Sequence, residues 1–217
     1  MRIYGHPFSS YTQKVLTALY ENDTPFEFQN LSPENPDILA EFARRWPIQR
    51  FPLLVEGPRQ VMEATAIIEY LDVHRRGPTR FIPDDADAAI DVRMLDRFFD
   101  NYIHTPLQKI VFNRIRAEAD RDPYGVDEAR RTLDTAYAWL DQRMDGREWA
   151  AGGSFGLADC AAAPALFYAD WTHRIDPIFA NVHAYRARLL RRPSFARCVE
   201  GGRPYRDFFP LGAPDRD

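Results

Sequence analysis

Lysine is nearly missing from this sequence: Lys14 and Lys109 are the only two, so almost all of the positive charge is arginine. There is no basic run either, and the formal net charge is −4 with a pI near 5.8. That excludes a general nucleic-acid binder, because neutralising phosphates needs a concentrated basic face. The two cysteines, Cys160 and Cys198, are too few for a disulfide framework and read as thiols of a reducing compartment. Long apolar runs are absent. The longest, Cys160 to Ala169, is ten residues with Pro164 inside it, well short of the ~20 that a membrane helix needs. Met1 leads straight into strand-like Arg2-Ile3-Tyr4 with no apolar leader, so the expectation is a cytoplasmic protein without membrane contact. What remains, 45% hydrophobic and 28% charged over 217 residues, is enough for one large domain or two small ones.

Along the chain, the first 76 residues mix two periods. Arg2 to Gly5 and Phe26 to Asn30 read as strands, with a helical stripe of Val15, Leu16, Ala18, Leu19 and Tyr20 between them. Asn35-Pro36 marks the start of a short helix over Asp37 to Ala43. Leu53 to Val55 and Gln60 to Met62 flank a Gly57-Pro58 turn, and Ala64, Ile67, Ile68 and Leu71 follow at helical spacing. The predicted order is β-α-β-α-β-β-α. Residues 77–87, polar and punctuated by Gly and Pro, read as a linker. Residues 88–217 read as all-helical. A stripe of Leu95, Phe98, Phe99 and Tyr102 continues past Pro106, where a bend is expected. Leu157 to Tyr168 is apolar nearly all round and should be the buried central helix.

Three local features in the first part carry chemistry. Ser10 with Gln13 three residues on matches a capping box, which commits Ser10 to the backbone. Ser9 is then left just outside the helix with a free hydroxyl, at an end whose unpaired N–H groups favour an anion. The second feature is Gln49-Arg50-Phe51-Pro52-Leu53, in which a cis Phe51–Pro52 bond would turn the Phe51 backbone outward toward an extended peptide. In the third, Glu63-Ala64, an acidic residue ends a strand as a helix begins. A carboxylate for an ammonium group and free N–H groups for a carboxylate would then stand side by side.

These segments together, Tyr4-Gly5-His6-Pro7 with Ser9, Phe51-Pro52 and Glu63 through Leu71, resemble the glutathione-binding half of the cytosolic glutathione transferases, in their serine-type, bacterial form. Gly156-Leu157-Ala158-Asp159 resembles the capping motif of the family's central helix. The resemblance spans nearly the whole chain. It implies an α/β thioredoxin-like N-terminal domain with a mixed four-stranded sheet, an all-α C-terminal domain and a homodimer. It also implies glutathione as co-substrate, with no metal. By position, Ser9 matches the activating serine, and Gln49, Arg50, Phe51, Pro52, Glu63 and Ala64 match the glutathione-binding stretch, with Arg44 or Arg45 near the glycyl end.

The implied activity is thiolate attack by glutathione on small hydrophobic electrophiles or peroxides. Their pocket is expected from Pro7, Phe8, Tyr11, Tyr102, His104 and Phe112, with Phe208 and Phe209 nearby. Tyr11 is the rival activating hydroxyl. Three departures stand out: Ala64 replaces the family's usual serine, Gln49 stands where a glycine is usual, and Gly156 takes the place of a Ser or Thr cap. The first two motivate a second reading, a non-catalytic binding or regulatory protein of the same fold. A thiol–disulfide oxidoreductase is disfavoured because the helix start offers Ser9-Ser10 and no cysteine.

Overall fold

The computed structural model describes all 217 residues. Its first part contains β1 (Arg2–Gly5), α1 (Ser10–Glu21), β2 (Glu27–Asn30), α2 (Pro36–Arg45), β3 (Leu53–Glu56), β4 (Arg59–Met62) and α3 (Ala64–His74). The four strands form one mixed sheet in the order β2-β1-β3-β4, with β1 parallel to β2 and antiparallel to β3. Alternation along β1 and β3 divides the side chains between the two faces. Ile3 and Leu54 join the main core with α1 and α3, while Tyr4, Leu53 and Val55 pack on the other face against Phe42 of α2. This is the thioredoxin-like arrangement.

The second part is helical: α4 (Ala86–Phe98), α5 (Thr105–Ile115), α6 (Pro123–Arg143), α7 (Leu157–Thr172), α8 (Ala180–Arg191) and α9 (Pro193–Gly202). The central helix α7 is buried on every side from Leu157 to Trp171. Gly156 caps it without a side chain. The Asp159 carboxylate instead accepts the Gly156 and Ala150 N–H groups at 3.0 Å each, together with the Tyr185 hydroxyl at 2.5 Å. No helix is long and apolar enough to cross a membrane.

The bend expected at Pro106 is absorbed by a π-helical turn, Phe99–His104, that joins α4 to α5. The Thr105 N–H bonds back to Asp100, and Pro106, which has no N–H to give, follows at the start of α5. The wider turn shifts the inward positions. Phe99, Asp100, Ile103 and His104 are buried, whereas Tyr102 is 55% exposed, although simple helical spacing had placed it on the inner stripe.

The two halves share one continuous core of 49 buried residues. Residues 75–85 are held down between them. Asp72 accepts the Phe81 N–H at 2.8 Å, Asn22 accepts the Thr79 N–H at 2.9 Å, and the Phe81 carbonyl receives the Leu157 N–H at 2.9 Å. A buried ion cluster lies beneath the same junction. Lys14 of α1 contacts Asp96 at 2.7 Å and Asp100 at 2.9 Å, and Thr65 of α3 donates to Asp96 at 2.8 Å. Two cations, Lys14 and Arg97, face the two carboxylates, so the cluster is neutral in sum.

Candidate functional site

A cavity of about 530 Å³ opens where α1 begins, between the sheet and the helical half. Its floor is Phe8, Ser9, Ser10 and Tyr11. One wall is Gln49, Arg50, Phe51 and Pro52, and Glu63 with Ala64 forms the next. The facing wall comes from the helical half: Leu107, Gln108, Val111 and Phe112 of α5, with Tyr168 of α7 and the Phe208-Phe209-Pro210 segment. The polar side is thus built from the α/β part and the apolar side from the helices.

The predicted capping box does not form. Ser9, with extended backbone (φ −87°, ψ 125°), is the N-cap, and its Oγ accepts the Thr12 N–H at 3.3 Å. Gln13 turns inward and donates to the Pro7 carbonyl at 2.9 Å and the Tyr168 hydroxyl at 3.1 Å. Ser10 is already inside the helix, with its Oγ 2.5 Å from His104 Nε2. A partner 94 residues away therefore decides which serine caps. As a cap, Ser9 uses an oxygen lone pair, so its own proton stays available to a ligand. Tyr11 is partly buried; burial, with the Asp100 charge, pushes its phenol up, so it stays protonated as a donor. Burial also drives His104 down to about 3, with the Lys14 charge adding to it, so this imidazole is neutral.

The second wall fits an extended peptide. The Phe51–Pro52 bond is cis, β3 begins only at Leu53, and the Phe51 backbone makes no hydrogen bond within the chain. Gln49 (φ 55°) and Glu63 (φ 67°) are non-glycine residues held at positive φ, a conformation that costs about 1–3 kcal/mol and concentrates at ligand sites. Glu63 occupies the N-cap position of α3 but makes no capping bond, so the first-turn N–H groups have no side-chain acceptor there. Its carboxylate is exposed at the cavity wall. A carboxylate ligand on those N–H groups and an ammonium on Glu63 are both accommodated.

With this geometry in place, comparison with known proteins is direct. The N-terminal domain model of glutathione S-transferases matches residues 3–79, and the C-terminal domain model of the same family matches 123–188. The chain belongs to the glutathione S-transferase family. Among relatives, glutathione S-transferase GstB of Escherichia coli is 25% identical over 208 residues, 91% of this chain and 96% of the relative. FtsZ-localized protein A of Caulobacter vibrioides is 28% identical over 204 residues, 89% of this chain and 88% of the relative. A solved glutathione S-transferase of Methylobacterium radiotolerans in complex with glutathione sulfonate superposes with a TM-score of 0.79 at 27% identity. That match covers 91% of this chain and 93% of the other.

Within this transferase fold, the predicted electrophile wall needs correction. Phe8, Tyr11 and Phe112 line the cavity. Pro7 lines a separate cleft beside α9 instead, with Arg197, Cys198 and Gly201. Tyr102 points into an outer groove with Phe98 and Trp139, as the π-helical turn dictates. His104 is 2% exposed and lies behind the floor, touching the cavity lining only through Ser10 and the Tyr11 ring. Arg45 is bound to Glu41 at 2.7 and 2.8 Å, and neither it nor Arg44 lines the cavity. Sequence reading missed Leu107, Gln108, Val111, Tyr168 and Pro210. The first three share a face of α5 with Phe112, a grouping visible only once that helix is placed. Thr65 is committed to the ion cluster and does not replace the missing hydroxyl of Ala64.

Proposed function

We propose that this protein is a glutathione transferase that binds glutathione along the Phe51 and Glu63 walls and activates its thiol at the start of α1. The observation that carries the reading is a single cavity, with the Ser9 and Ser10 hydroxyls at its floor, an unpaired peptide edge at Phe51 and an apolar wall from α5. The Phe51 N–H and C=O pair with the cysteinyl backbone. Glu63 takes the γ-glutamyl ammonium, and the uncapped α3 turn beginning at Ala64 takes its carboxylate. Gln49 and Arg50 flank the glycyl end.

A free thiol ionises near pH ~8.5, and only the thiolate is a good nucleophile. Ser9 donates its hydroxyl proton to the sulfur and so favours the anion, the thiol proton leaving to solvent. One charge-assisted hydrogen bond is worth about 1.5–3 kcal/mol, and each unit of pKa corresponds to about 1.4 kcal/mol. The thiolate then attacks an electrophilic carbon, or a peroxide oxygen, held against Leu107, Val111 and Phe112. Retention on immobilised glutathione, with ultraviolet thiolate absorbance from bound glutathione at neutral pH, tests the reading. Absence of both overturns it. Retention without thiolate absorbance favours the second reading, a non-catalytic glutathione binder, for which Ala64 is the motivating departure.

The active unit is a homodimer in a cytoplasmic setting. Met94, Tyr102 and Trp139 are 50%, 55% and 42% exposed along the outer α4–α6 groove. Arg131 and Glu128 beside them offer both charge signs, which a two-fold contact is able to pair.

A further inference from the structure

The shortest link between the cavity floor and the helical half is the Ser10–His104 contact, 2.5 Å from Oγ to Nε2. His104 sits at the end of the π-helical turn, 2% exposed, its ring tilted against that of Tyr11 at a centroid separation of 4.4 Å. The groups that face it are Ser10, Tyr11 and Lys14 of α1, and the Lys14 ammonium is held by Asp96 and Asp100. A neutral imidazole carries one N–H and one bare nitrogen. Ser10 Oγ is the ring's only hydrogen-bond partner in the chain. A buried N–H without an acceptor is among the rarest defects in folded proteins, whereas a lone pair without a donor is better tolerated. A proton on Nε2, the ring nitrogen that has a partner, is accepted by Ser10. Ser10 then has its own O–H left to give, and its side chain lines the cavity.

We propose that His104 is a positioning residue: its Nε2–H donates to Ser10 Oγ and turns the Ser10 hydroxyl proton into the cavity, as a second donor to the glutathione sulfur beside Ser9. This rests on the transferase reading above. His104 takes no proton from the thiol. It fixes the direction of a donor chain, His104 N–H to Ser10 O–H to sulfur, in which each link polarises the next. The π-helical turn gains a function thereby, since it is the device that brings His104 onto α1 while Tyr102 faces outward.

The test is the ionisation of bound glutathione, followed by ultraviolet thiolate absorbance against pH, in wild type, Ser10→Ala, His104→Phe, the double variant and His104→Gln. Phe keeps the ring against Tyr11 and removes the N–H; the Gln side-chain amide restores an N–H near the Nε2 position. Ser10→Ala and His104→Phe are each expected to raise the thiol pKa by about one unit, a tenfold loss of thiolate below it. The double variant should do no more than either alone, and His104→Gln should stay near wild type, with KM for glutathione changed little throughout. If His104→Phe does not fold, Ser10→Ala and His104→Gln still decide the matter. A Ser10→Ala variant with an unchanged or lowered thiol pKa means that Ser10 donates to His104, and the proposal fails. Additive shifts in the double variant, or a wild-type thiol pKa in His104→Phe, also refute it. Wild type without any thiolate absorbance removes the transferase reading itself, a result distinct from normal wild-type ionisation with unaffected variants.

Discussion

Ser9→Ala separates the cap that this hydroxyl forms from the donor role proposed for it. As N-cap, Ser9 accepts the Thr12 N–H at 3.3 Å, a long bond, so its loss should cost about 0.5–1 kcal/mol of stability, the low end for caps. As the proposed donor to the sulfur it would contribute a charge-assisted bond of about 1.5–3 kcal/mol, or roughly 1–2 units of thiol pKa. Ser10 remains on the same floor as another donor, so the expected rise is about one unit, the lower end of that range. The sign follows from linkage. On the proposed mechanism binding lowers the thiol pKa, so with glutathione saturating, kcat/KM for the electrophile rises with pH through the bound value, and removing a donor moves that rising limb upward. Well below the wild-type bound value the variant should therefore lose about tenfold in kcat/KM for the electrophile. The two enzymes should converge above pH ~8.5, where even a free thiol is ionised. The assay is conjugation of a chloronitrobenzene across pH, beside urea denaturation for the cap. A limb that does not move, or a rate loss uniform across pH, refutes Ser9 as the activating donor; in that case the cap alone explains its presence.

Asp159→Ala should leave the Gly156 and Ala150 N–H groups and the Tyr185 hydroxyl buried without an acceptor. At about 1–3 kcal/mol for each such group, denaturant unfolding should show a loss of about 3–5 kcal/mol, and a loss under about 1 kcal/mol contradicts the capping role. Burial alone would raise Glu21, but hydrogen bonds from Arg192 and Ser194 outweigh it and bring its carboxyl below the ordinary 4.5. A lowered folded pKa contributes stability above the unfolded value that is lost as pH falls through the folded one. Glu21→Gln should therefore flatten the acid limb of thermal stability below about pH 4.5, whereas an unchanged limb counts against the α1–α9 clamp. Trp139→Glu should convert a dimer to a monomer by light scattering; a wild-type monomer, or a variant that stays dimeric, removes the outer groove as the interface.

Local chemistry was enough for much of this protein. The β-α-β-α-β-β-α order follows from two hydrophobic periods and from Gly and Pro punctuation, both of which are local along the chain. Ser9, Phe51, Pro52, Glu63 and Ala64 come from short contiguous segments whose backbone geometry is set within a few residues, and the structure gathers all five around one cavity. Asp159 was readable as the α7 cap because the Gly156 N–H that it accepts lies within one turn, whereas its Ala150 partner was not. The apolar wall was less readable. Helical spacing assigned Tyr102 inward, but the π-helical turn changes the phase of every position after Phe98, and no local pattern around Pro106 announces where a helix will widen.

By itself, then, the sequence determined the two-part architecture, the cavity walls at Phe51 and Glu63 and the hydroxyls at the helix start, since these depend on neighbours along the chain. Only tertiary structure decided which serine caps and which is held by His104, because that choice belongs to a partner 94 residues away. It also decided that Leu107, Val111 and Tyr168 face the cavity while Pro7 and Tyr102 do not. A side chain's direction across a domain junction depends on helix phase and on docking of the two halves. Both arise from a core of 49 residues packed together, and no segment carries them alone.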